Sequence, residues 1–496
     1  MRLFALLCLL LSQNLYAYLD PGTGSLLLSS VVAIFASLIY FLKGFFYKMK
    51  MGGASRRGLL ALKSKKSQNL QLSQNLLSIP QNAITIYAED KRYFSLFKPI
   101  IDAFERLNYP YTYYTGDKAD PMLDFQSAIG HIECIGNDNK AFARLNALEA
   151  DICLMTTPQL DVLQLKRSKA VKHYCHILHS LPHIDNYEIF ALDYFDSVFV
   201  NSPIHTDFIR EVEEIRNLKA KQVEIVGCPY LDYLAEKVRA IDCHDSAPCA
   251  ESRNDNNKNP TILVAPSWGR EALLSKYGMK LLKPLLETGY NIIIRPHPQS
   301  FVSEKAMLDS IRAQSAHFTN LKWDNHIDNI YAMAESHLMI GDFSGVLFDY
   351  VALFSKPIIT MEFHFNTIGY DLEDTSHKTP WVADALKEIS ESIAERDFGE
   401  IKRIIDSTLR DSIKASNRAK MKELLWHYQG SGGTQSALKL LEIHKGILEN
   451  DLGENLALHR QILAIDNLLN TDSTNRNCDS TPKKSKATKS HTQGQK

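Results

Sequence analysis

Short apolar segments alternate with helix-length amphipathic segments along most of this chain, and this alternation restricts the fold more than any other feature of the sequence. Strands separated by helices of about ten to fifteen residues are typical of βαβ units and of a parallel sheet. One series of such units begins at Ala83 and a second begins at Thr261, with a polar stretch at residues 241–259 between them. The sequence therefore predicts two Rossmann-like α/β domains, residues 83–240 and 260–470, that face each other across a cleft.

Two apolar segments near the N-terminus predict attachment to a membrane. Residues 1–17 have the basic start, apolar core and small-residue end of a signal sequence, and residues 26–47 are long and apolar enough to span a bilayer. Basic residues dominate the start of the polar linker predicted at residues 48–82, so the positive-inside rule places the rest of the chain in the cytoplasm. We expect a single-pass protein of the inner membrane, and the sequence leaves open whether the first segment is cleaved. Residues 471–496 are expected to be a disordered tail.

Composition and missing motifs exclude several classes of protein. The formal net charge of −1 argues against a nucleic-acid-binding protein. The eight cysteines form no CxxC pair, so we interpret them as reduced structural thiols and expect no metal. A zinc site or a disulfide between Cys243 and Cys249 is a disfavoured alternative. The chain also lacks G-x-G-x-x-G and G-x-x-x-x-G-K-[ST], which disfavours a dinucleotide oxidoreductase and a P-loop ATPase.

The segment Gly341–Tyr350 predicts a phosphate site in the second domain. It has the pattern of a buried strand end, a tight turn and the first turns of a helix. Asp342, Ser344 and the backbone N–H of Gly345 would lie at the helix N-terminus, where anions bind. Asp342 is expected to accept from a ribose hydroxyl or to orient a histidine, and plain helix capping is its alternative role.

A second half-site is predicted at Arg295-Pro-His-Pro298, which follows another apolar strand. The prolines fix φ on both sides of His297, so this imidazole is expected to bind a phosphate oxygen or to protonate a leaving phosphate. Arg295 would contribute a cation. The alternative is a rigid turn with a histidine on the surface.

The turn Ala265–Arg270 ends the first strand of the second domain, where nucleotides bind in open α/β sheets. Ser267 lies in this turn, Trp268 is expected to pack on a base, and Arg270 is expected to meet a phosphate. A role for Trp268 in the domain-interface core is the alternative. The pattern after Trp381 is helical, with a break at Gly430–Gly433 that is either a weak phosphate nest or a flexible connector.

Three histidines end a strand of the first domain and are expected to face the cleft: His176, His179 and His183. His176 and His179 differ by three positions and point to opposite faces of a strand, so both are not expected to be reactive. Metal binding by the three is disfavoured by the same spacing.

Five motifs, taken in order, resemble those of the CDP-glycerol glycerophosphotransferases, which make teichoic-acid-like polymers. The resemblance covers roughly residues 174–433 and rests on His179, Val226–Asp232, Ile262–Trp268, Arg295–Pro298 and Asp342–Tyr350 with Lys356–Ile358. It implies a GT-B-type enzyme that transfers glycerol phosphate from CDP-glycerol to a hydroxyl of a polymeric or lipid-linked acceptor, releases CMP and needs no cofactor. It also implies that His179 is the catalytic base and that Arg295, His297, Asp342 and Ser344 bind the donor.

The chain departs from the family pattern at two turns. The family usually has His-Gly where this chain has His179-Ser180, and Ser-Asp-Tyr-Ser-Ser where it has Gly341–Gly345. The missing hydroxyl at Gly345 removes one phosphate ligand, so CDP-ribitol or another activated alcohol remains an alternative donor. A GT-B glycosyltransferase that uses a nucleotide sugar and an inactive scaffold of the same machinery are the alternative functions.

Overall fold

A computed structural model describes residues 79–244, 259–326, 328–363, 367–376, 379–452 and 456–479. The predicted signal-like segment, the predicted transmembrane helix and most of both predicted linkers lie outside these ranges. Within them, no helix is both long and apolar enough to cross a membrane.

The first half of the described chain forms a parallel sheet of seven strands in the order β3-β2-β1-β4-β5-β6-β7. Every residue of its central strand Ile84–Ala88 is buried, which explains an apolar sequence without strict alternation, because helices cover both faces of such sheets. The strands are β1 (Ile84–Ala88), β2 (Tyr111–Thr115), β3 (Gly130–Cys134), β4 (Glu149–Met155), β5 (Ala170–Ile177), β6 (Ser197–Val200) and β7 (Gln222–Ile225).

The second half forms a parallel sheet of six strands in the order β10-β9-β8-β11-β12-β13. Its strands are β8 (Thr261–Val264), β9 (Asn291–Ile294), β10 (Leu321–Trp323), β11 (Leu338–Gly341), β12 (Ile358–Met361) and β13 (Ser390–Ile393). The purely helical pattern predicted after Trp381 is wrong at β13. Ser-Glu-Ser-Ile has one large apolar side chain and no strand signal of its own, and pairing with β12 holds it extended.

Helices connect the strands in both halves. Those of the first half are α1 (Phe94–Leu107), α2 (Asp138–Leu145), α3 (Ile204–Ile215) and α4 (Pro229–His244). Those of the second half are α5 (Leu273–Tyr277), α6 (Met279–Leu286), α7 (Ser300–Ser303), α8 (Lys305–Ser315), α9 (Ile330–Glu335), α10 (Val346–Phe354), α11 (Trp381–Ile389), α12 (Ile401–Thr408), α13 (Ser412–Leu425), α14 (Gly432–Asn450) and α15 (Leu456–Asp479). Helix α15 continues past Thr471 to Asp479, so the first residues of the predicted tail are helical, and the rest of that segment lies outside the described residues.

Helix α14 returns to the first sheet and packs against α1. A Cβ added to Gly433 would lie 2.5 Å from Pro99, so only glycine permits this crossing. Further along α14, His444 is buried, and its Nε2 lies 2.9 Å from Asp151 Oδ2 at the start of β4. The helical extension that the sequence assigns to the second domain therefore packs on the first.

A loop after β12 crosses to the first half and fixes the cleft between the sheets. Tyr370 forms an antiparallel bridge with Glu188, and the backbone N–H of Trp381 donates to Asp185 over 2.6 Å. In the same loop Asp371 pairs with Arg216 at 2.8 Å, and both side chains are buried. The two sheets are therefore joined by polar contacts as well as by the α14 crossing.

Candidate active site

The carboxyl ends of the two sheets meet at one cleft. The turn after β5 carries His179 and Ser180, and Gly345 immediately precedes α10 in the second half. A Cβ built on Gly345 would lie 3.5 Å from Ser180 Oγ and 3.7 Å from Pro182 Cγ. The catalytic-base turn and the phosphate turn predicted from the sequence therefore lie next to each other.

His179 is held between aromatic rings with one nitrogen hydrogen-bonded. Its Nδ1 lies 2.8 Å from Thr156 Oγ1, directly after β4. The edge of Tyr93 contacts it at a ring-centroid distance of 5.2 Å, and Tyr187 stacks on it at 6.0 Å. Burial, assisted by the positive charge of Arg92, lowers the pKa of His179 to about 4. The imidazole is therefore neutral at physiological pH and able to accept a proton.

The other two histidines of this motif are buried. His176 is fully buried with both ring nitrogens unpaired, and burial lowers its pKa to about 3. His183 stacks against His205 and Trp381 at 5.7 and 5.9 Å between ring centroids. Across the described ranges, no group of His, Cys, Asp or Glu side chains could hold a metal ion.

Asp342 accepts several hydrogen bonds from the turn that follows β8. It is buried, and its carboxylate accepts from the backbone N–H groups of Ser267 at 2.9 Å, Leu273 at 3.0 Å and Phe343 at 2.8 Å. The Ser267 hydroxyl also donates to it at 2.5 Å. Both carboxylate oxygens of Asp342 therefore accept bonds that shape the Ser267–Leu273 turn, and Ser267 is engaged in the same bonds. The expected contact of Asp342 with ribose or His297 stays a prediction.

The two predicted arginines differ in their surroundings. Arg295 follows β9 and its Nη1 lies 2.5 Å from Asp324 Oδ2, with both side chains largely buried. Its cation is therefore already part of an ion pair at the carboxyl end of β9. Arg270 is exposed on the turn after β8.

His297 and Trp268 form a small platform at the second sheet. Their rings lie 6.3 Å apart between centroids and 30° from parallel. Trp268 is 50% exposed, which excludes the core role considered for it. The backbone N–H of Gln299 donates to His297 Nδ1 at 3.1 Å, so the neutral imidazole carries its proton on Nε2. Burial and the nearby Arg92 lower the pKa of His297, while Asp342 and Glu304 oppose the shift.

Ser344 and Gly345 provide the start of helix α10. Ser344 is half-buried, and its hydroxyl lies 3.5 Å from the backbone N of Val346. In the first turn of this nine-residue helix, the backbone N–H groups of Leu347 and Phe348 donate to the carbonyl oxygens of Ser344 and Gly345 at 3.2 and 3.0 Å. The positive end of the helix dipole lies at the same turn, which is the local chemistry expected of an anion site.

The Gly430–Gly433 turn already holds an anion from the protein. Asp232 accepts from the backbone N–H groups of Gly430 at 2.6 Å and Gly432 at 2.7 Å, and from Trp426 Nε1 at 2.8 Å. The suggestion of a phosphate nest here is wrong, because a carboxylate from α4 fills it. The Val226–Asp232 motif therefore joins α4 to α14.

Three cleft residues were missed by the sequence reasoning: Arg92, Tyr93 and Thr156. Arg92 acts on the pKa values of both His179 and His297, so its charge faces both halves of the cleft. Arg92 and Tyr93 follow the first strand and Thr156 follows the fourth. These residues could have been found by considering the polar residues that follow every predicted strand, and not only those within recognised motifs.

A cleft between two parallel α/β sheets, with a neutral imidazole on one side and a helix N-terminus on the other, has the arrangement of a group-transfer enzyme. Residues 148–442 match the model of the CDP-glycerol:poly(glycerophosphate) glycerophosphotransferase family. This match spans more than half of the chain, so the chain belongs to that family and is a transferase of this kind. No curated protein matches the chain.

Solved structures with related folds have low sequence identity to this chain. The wall teichoic acid polymerase TagF is 16% identical over 78% of this chain and 94% of its own, with a TM-score of 0.49. A UDP-GlcNAc 2-epimerase from Methanocaldococcus jannaschii, in complex with UDP-GlcNAc and UDP, is 12% identical over 72% and 99%, with a TM-score of 0.46. A glycosyltransferase from Rickettsia africae is 14% identical over 74% and 98%, with a TM-score of 0.43.

Proposed function

We propose that this protein transfers glycerol phosphate, or a similar alditol phosphate, from a CDP-activated donor to a hydroxyl of a cell-envelope polymer or lipid-linked acceptor. CMP is the second product. Family membership supports the reaction class. The observation that carries the proposal is the contact between the His179–Ser180 turn and the start of α10, because it brings a base and an anion site to one cleft. We assign the two-sheet architecture to the GT-B type.

The first sheet supplies the base in this proposal. His179 accepts the proton of the acceptor hydroxyl as its oxygen attacks the phosphorus that carries the glycerol. A new P–O bond forms to the acceptor, and the bond from this phosphorus to the CMP oxygen breaks. The proton taken up by His179 passes to water after product release.

The second sheet binds the donor. His297 donates from Nε2 to a diphosphate oxygen, and the positive N-terminal end of α10 with the Ser344 hydroxyl stabilises the charge that develops on CMP. Trp268 offers its exposed face to the cytosine ring. Arg295 adds a cation whose position Asp324 fixes. The bound diphosphate brings negative charge beside both imidazoles, which raises their pKa values and makes His179 a better base in the complex than in the free enzyme.

Residues 26–47 are proposed to anchor the enzyme to the inner membrane, with the catalytic domains in the cytoplasm. The basic linker that follows would hold the protein close to anionic lipid. Membrane fractionation of the full chain, with residues 1–47 deleted as the comparison, tests this location. Recovery of both forms in the soluble fraction would contradict it.

The enzymatic test follows CMP release by the full-length protein with CDP-glycerol and a polymer acceptor. His179→Ala is expected to abolish transfer and leave donor binding near normal, whereas His297→Ala weakens both donor binding and turnover. His317→Ala removes an exposed histidine on the same chain and serves as the matched control.

The products separate the proposal from its alternatives. Release of a nucleoside diphosphate from a nucleotide sugar, without CMP from CDP-glycerol, would favour the glycosyltransferase. Absence of binding to any nucleotide would favour a scaffold. Unchanged transfer in His179→Ala would refute the assignment of the base.

A further inference from the structure

Thr156 makes two short contacts through one hydroxyl group at the edge of the first sheet. It is fully buried and directly follows β4, the neighbour of β5. Its Oγ1 lies 2.8 Å from the carbonyl oxygen of Ile177, the last residue of β5, and 2.8 Å from His179 Nδ1. Both partners therefore lie at the end of the neighbouring strand.

The two contacts determine where the proton of His179 lies. A hydroxyl has one proton to donate and a carbonyl oxygen can only accept, so the Thr156 proton points at Ile177. Thr156 Oγ1 then accepts from His179, which requires the imidazole proton to be on Nδ1. A neutral imidazole with its proton on Nδ1 has a lone pair on Nε2.

We propose that Thr156 is a positioning residue that holds His179 in the Nδ1–H tautomer, so that Nε2 is the atom that takes the proton of the acceptor hydroxyl. This inference rests on the proposed function, in which His179 is the base. A buried partner at Nδ1 also fixes the ring's direction, as the orienting group does in other base-assisted enzymes. The opposite tautomer would present an N–H to the acceptor and would not accept its proton.

The packing around His179 supports a single ring orientation. Tyr93 contacts it by an edge and Tyr187 covers a face, so rotation of the ring would require both to move. The groups that face His179 come from the turn after β1, the end of β4, β5 itself and the following loop. Of these, Arg92 is charged, His176 is buried and neutral at physiological pH, and both tyrosines retain their protons because burial raises their pKa values.

The two imidazoles of the cleft carry their protons on opposite nitrogens. His297 accepts at Nδ1 from the backbone N–H of Gln299 and keeps its proton on Nε2, as a donor to phosphate requires. His179 donates at Nδ1 to Thr156 and leaves Nε2 unprotonated. His297 therefore acts as a hydrogen-bond donor and His179 as a base, because a backbone N–H contacts Nδ1 of His297 and a hydroxyl contacts Nδ1 of His179.

The test compares Thr156→Val, which removes the hydroxyl, with Thr156→Ser, which keeps it. In Thr156→Val we expect kcat for CMP release to fall roughly tenfold to a hundredfold, because this is the loss expected for one buried hydrogen bond to a reacting group. The KM for CDP-glycerol should change by less than about twofold. Thr156→Ser should restore most of the rate. Thr115→Val removes another buried hydroxyl at the carboxyl end of a strand in the same sheet and should leave kcat unchanged.

Nitrogen-15 NMR of histidine-labelled full-length protein reads the tautomer directly. Wild-type His179 should show a protonated Nδ1 and an unprotonated Nε2 at neutral pH, and Thr156→Val should show a mixture of tautomers. A wild-type His179 with its proton on Nε2 would overturn the inference even if Thr156→Val does not fold. A Thr156→Val variant with wild-type kcat, or with a raised KM alone, would also overturn it.

His179→Asn, measured in parallel, distinguishes this inference from the proposed function. If His179→Asn is inactive and Thr156→Val is fully active, the role of Thr156 is refuted while the base assignment stands. If His179→Asn is as active as wild type, His179 is not the base and both proposals fail.

Discussion

Replacing Asp342 by Asn should destabilise the second domain as well as weaken donor binding. Asp342 Oδ2 accepts from the backbone N–H groups of Ser267 and Leu273, and Oδ1 accepts from that of Phe343. An Asn side chain keeps one acceptor oxygen and places an NH₂ group against the other N–H groups. Hydrogen bonds to a charged group contribute about 1.5–3 kcal/mol each, so the loss of two predicts a decrease of about 3–6 kcal/mol in the free energy of unfolding.

Tryptophan fluorescence during urea denaturation measures this decrease in the free energy of unfolding. The four tryptophans of the chain, Trp268, Trp323, Trp381 and Trp426, all follow residue 260, so their emission reports the second half of the protein and its contacts with the first half. Asp309→Asn is the matched control, because Asp309 pairs with Lys305 on an exposed helix surface. Its effect should stay within about 0.5 kcal/mol.

The two roles considered for Asp342 predict different urea midpoints for Asp342→Asn. A ribose ligand at this position would raise the KM for CDP-glycerol and leave the urea midpoint unchanged. A residue that shapes the turn lowers the midpoint and also raises KM, because Trp268 lies within the turn that Asp342 holds. An unchanged midpoint in Asp342→Asn would refute the structural argument.

Three further results are expected. Trp268→Ala should raise the KM for CDP-glycerol roughly tenfold in the CMP-release assay, since base–aromatic stacking contributes about 1–3 kcal/mol; an unchanged KM would contradict the platform. Asp232→Ala should lower the free energy of unfolding by about 2–4 kcal/mol in urea denaturation, because two backbone N–H groups and an indole lose their acceptor, whereas a loss below 1 kcal/mol would exclude this role. Burial lowers the pKa of His176 to about 3 in the folded protein, below the unfolded value of about 6.5. The unfolded state therefore takes up a proton first as the pH falls, and the free energy of unfolding, which is unaffected by His176 above pH 6.5, should decrease by about 2 kcal/mol at pH 5. Urea midpoints at pH 7 and 5 check this, and His176→Phe should show a smaller decrease than wild type.

The sequence predicts most of both sheets because most strands are short and apolar and many are separated by helices. The helices expected between β4 and β5 and between β5 and β6 are wrong, because loops and turns join these strands. It also finds His179, His297 and the start of α10, because each follows a buried strand and polar residues at strand ends converge in parallel sheets. These are local patterns, and a single sequence contains them.

The parts of the site that the sequence does not predict depend on tertiary partners. The Asp342 carboxylate receives its donors from a turn some seventy residues earlier, and Asp232 fills a glycine turn about two hundred residues later. The local sequence of an acidic residue at a helix start is the same whether a ligand or the protein donates to its carboxylate. The local sequence of a glycine-rich turn is likewise the same whether its N–H groups bind a ligand or a carboxylate of the protein. Strand β13 was missed for a related reason, because its neighbour in the sheet, rather than its own side chains, determines its conformation.

Two of the departures from the family pattern, Ser180 and Gly345, are neighbours in space. The family usually has Gly after the catalytic His and Ser at the start of the helix, whereas this chain has Ser180 and Gly345. A Cβ at position 345 would lie 3.5 Å from Ser180 Oγ, which is an ordinary contact distance. Ser180 therefore keeps a hydroxyl beside the start of α10, close to the place where the family usually has one. Separate losses with no nearby replacement would argue for an inactive scaffold, and the nearness of Ser180 to Gly345 argues against that alternative at this position.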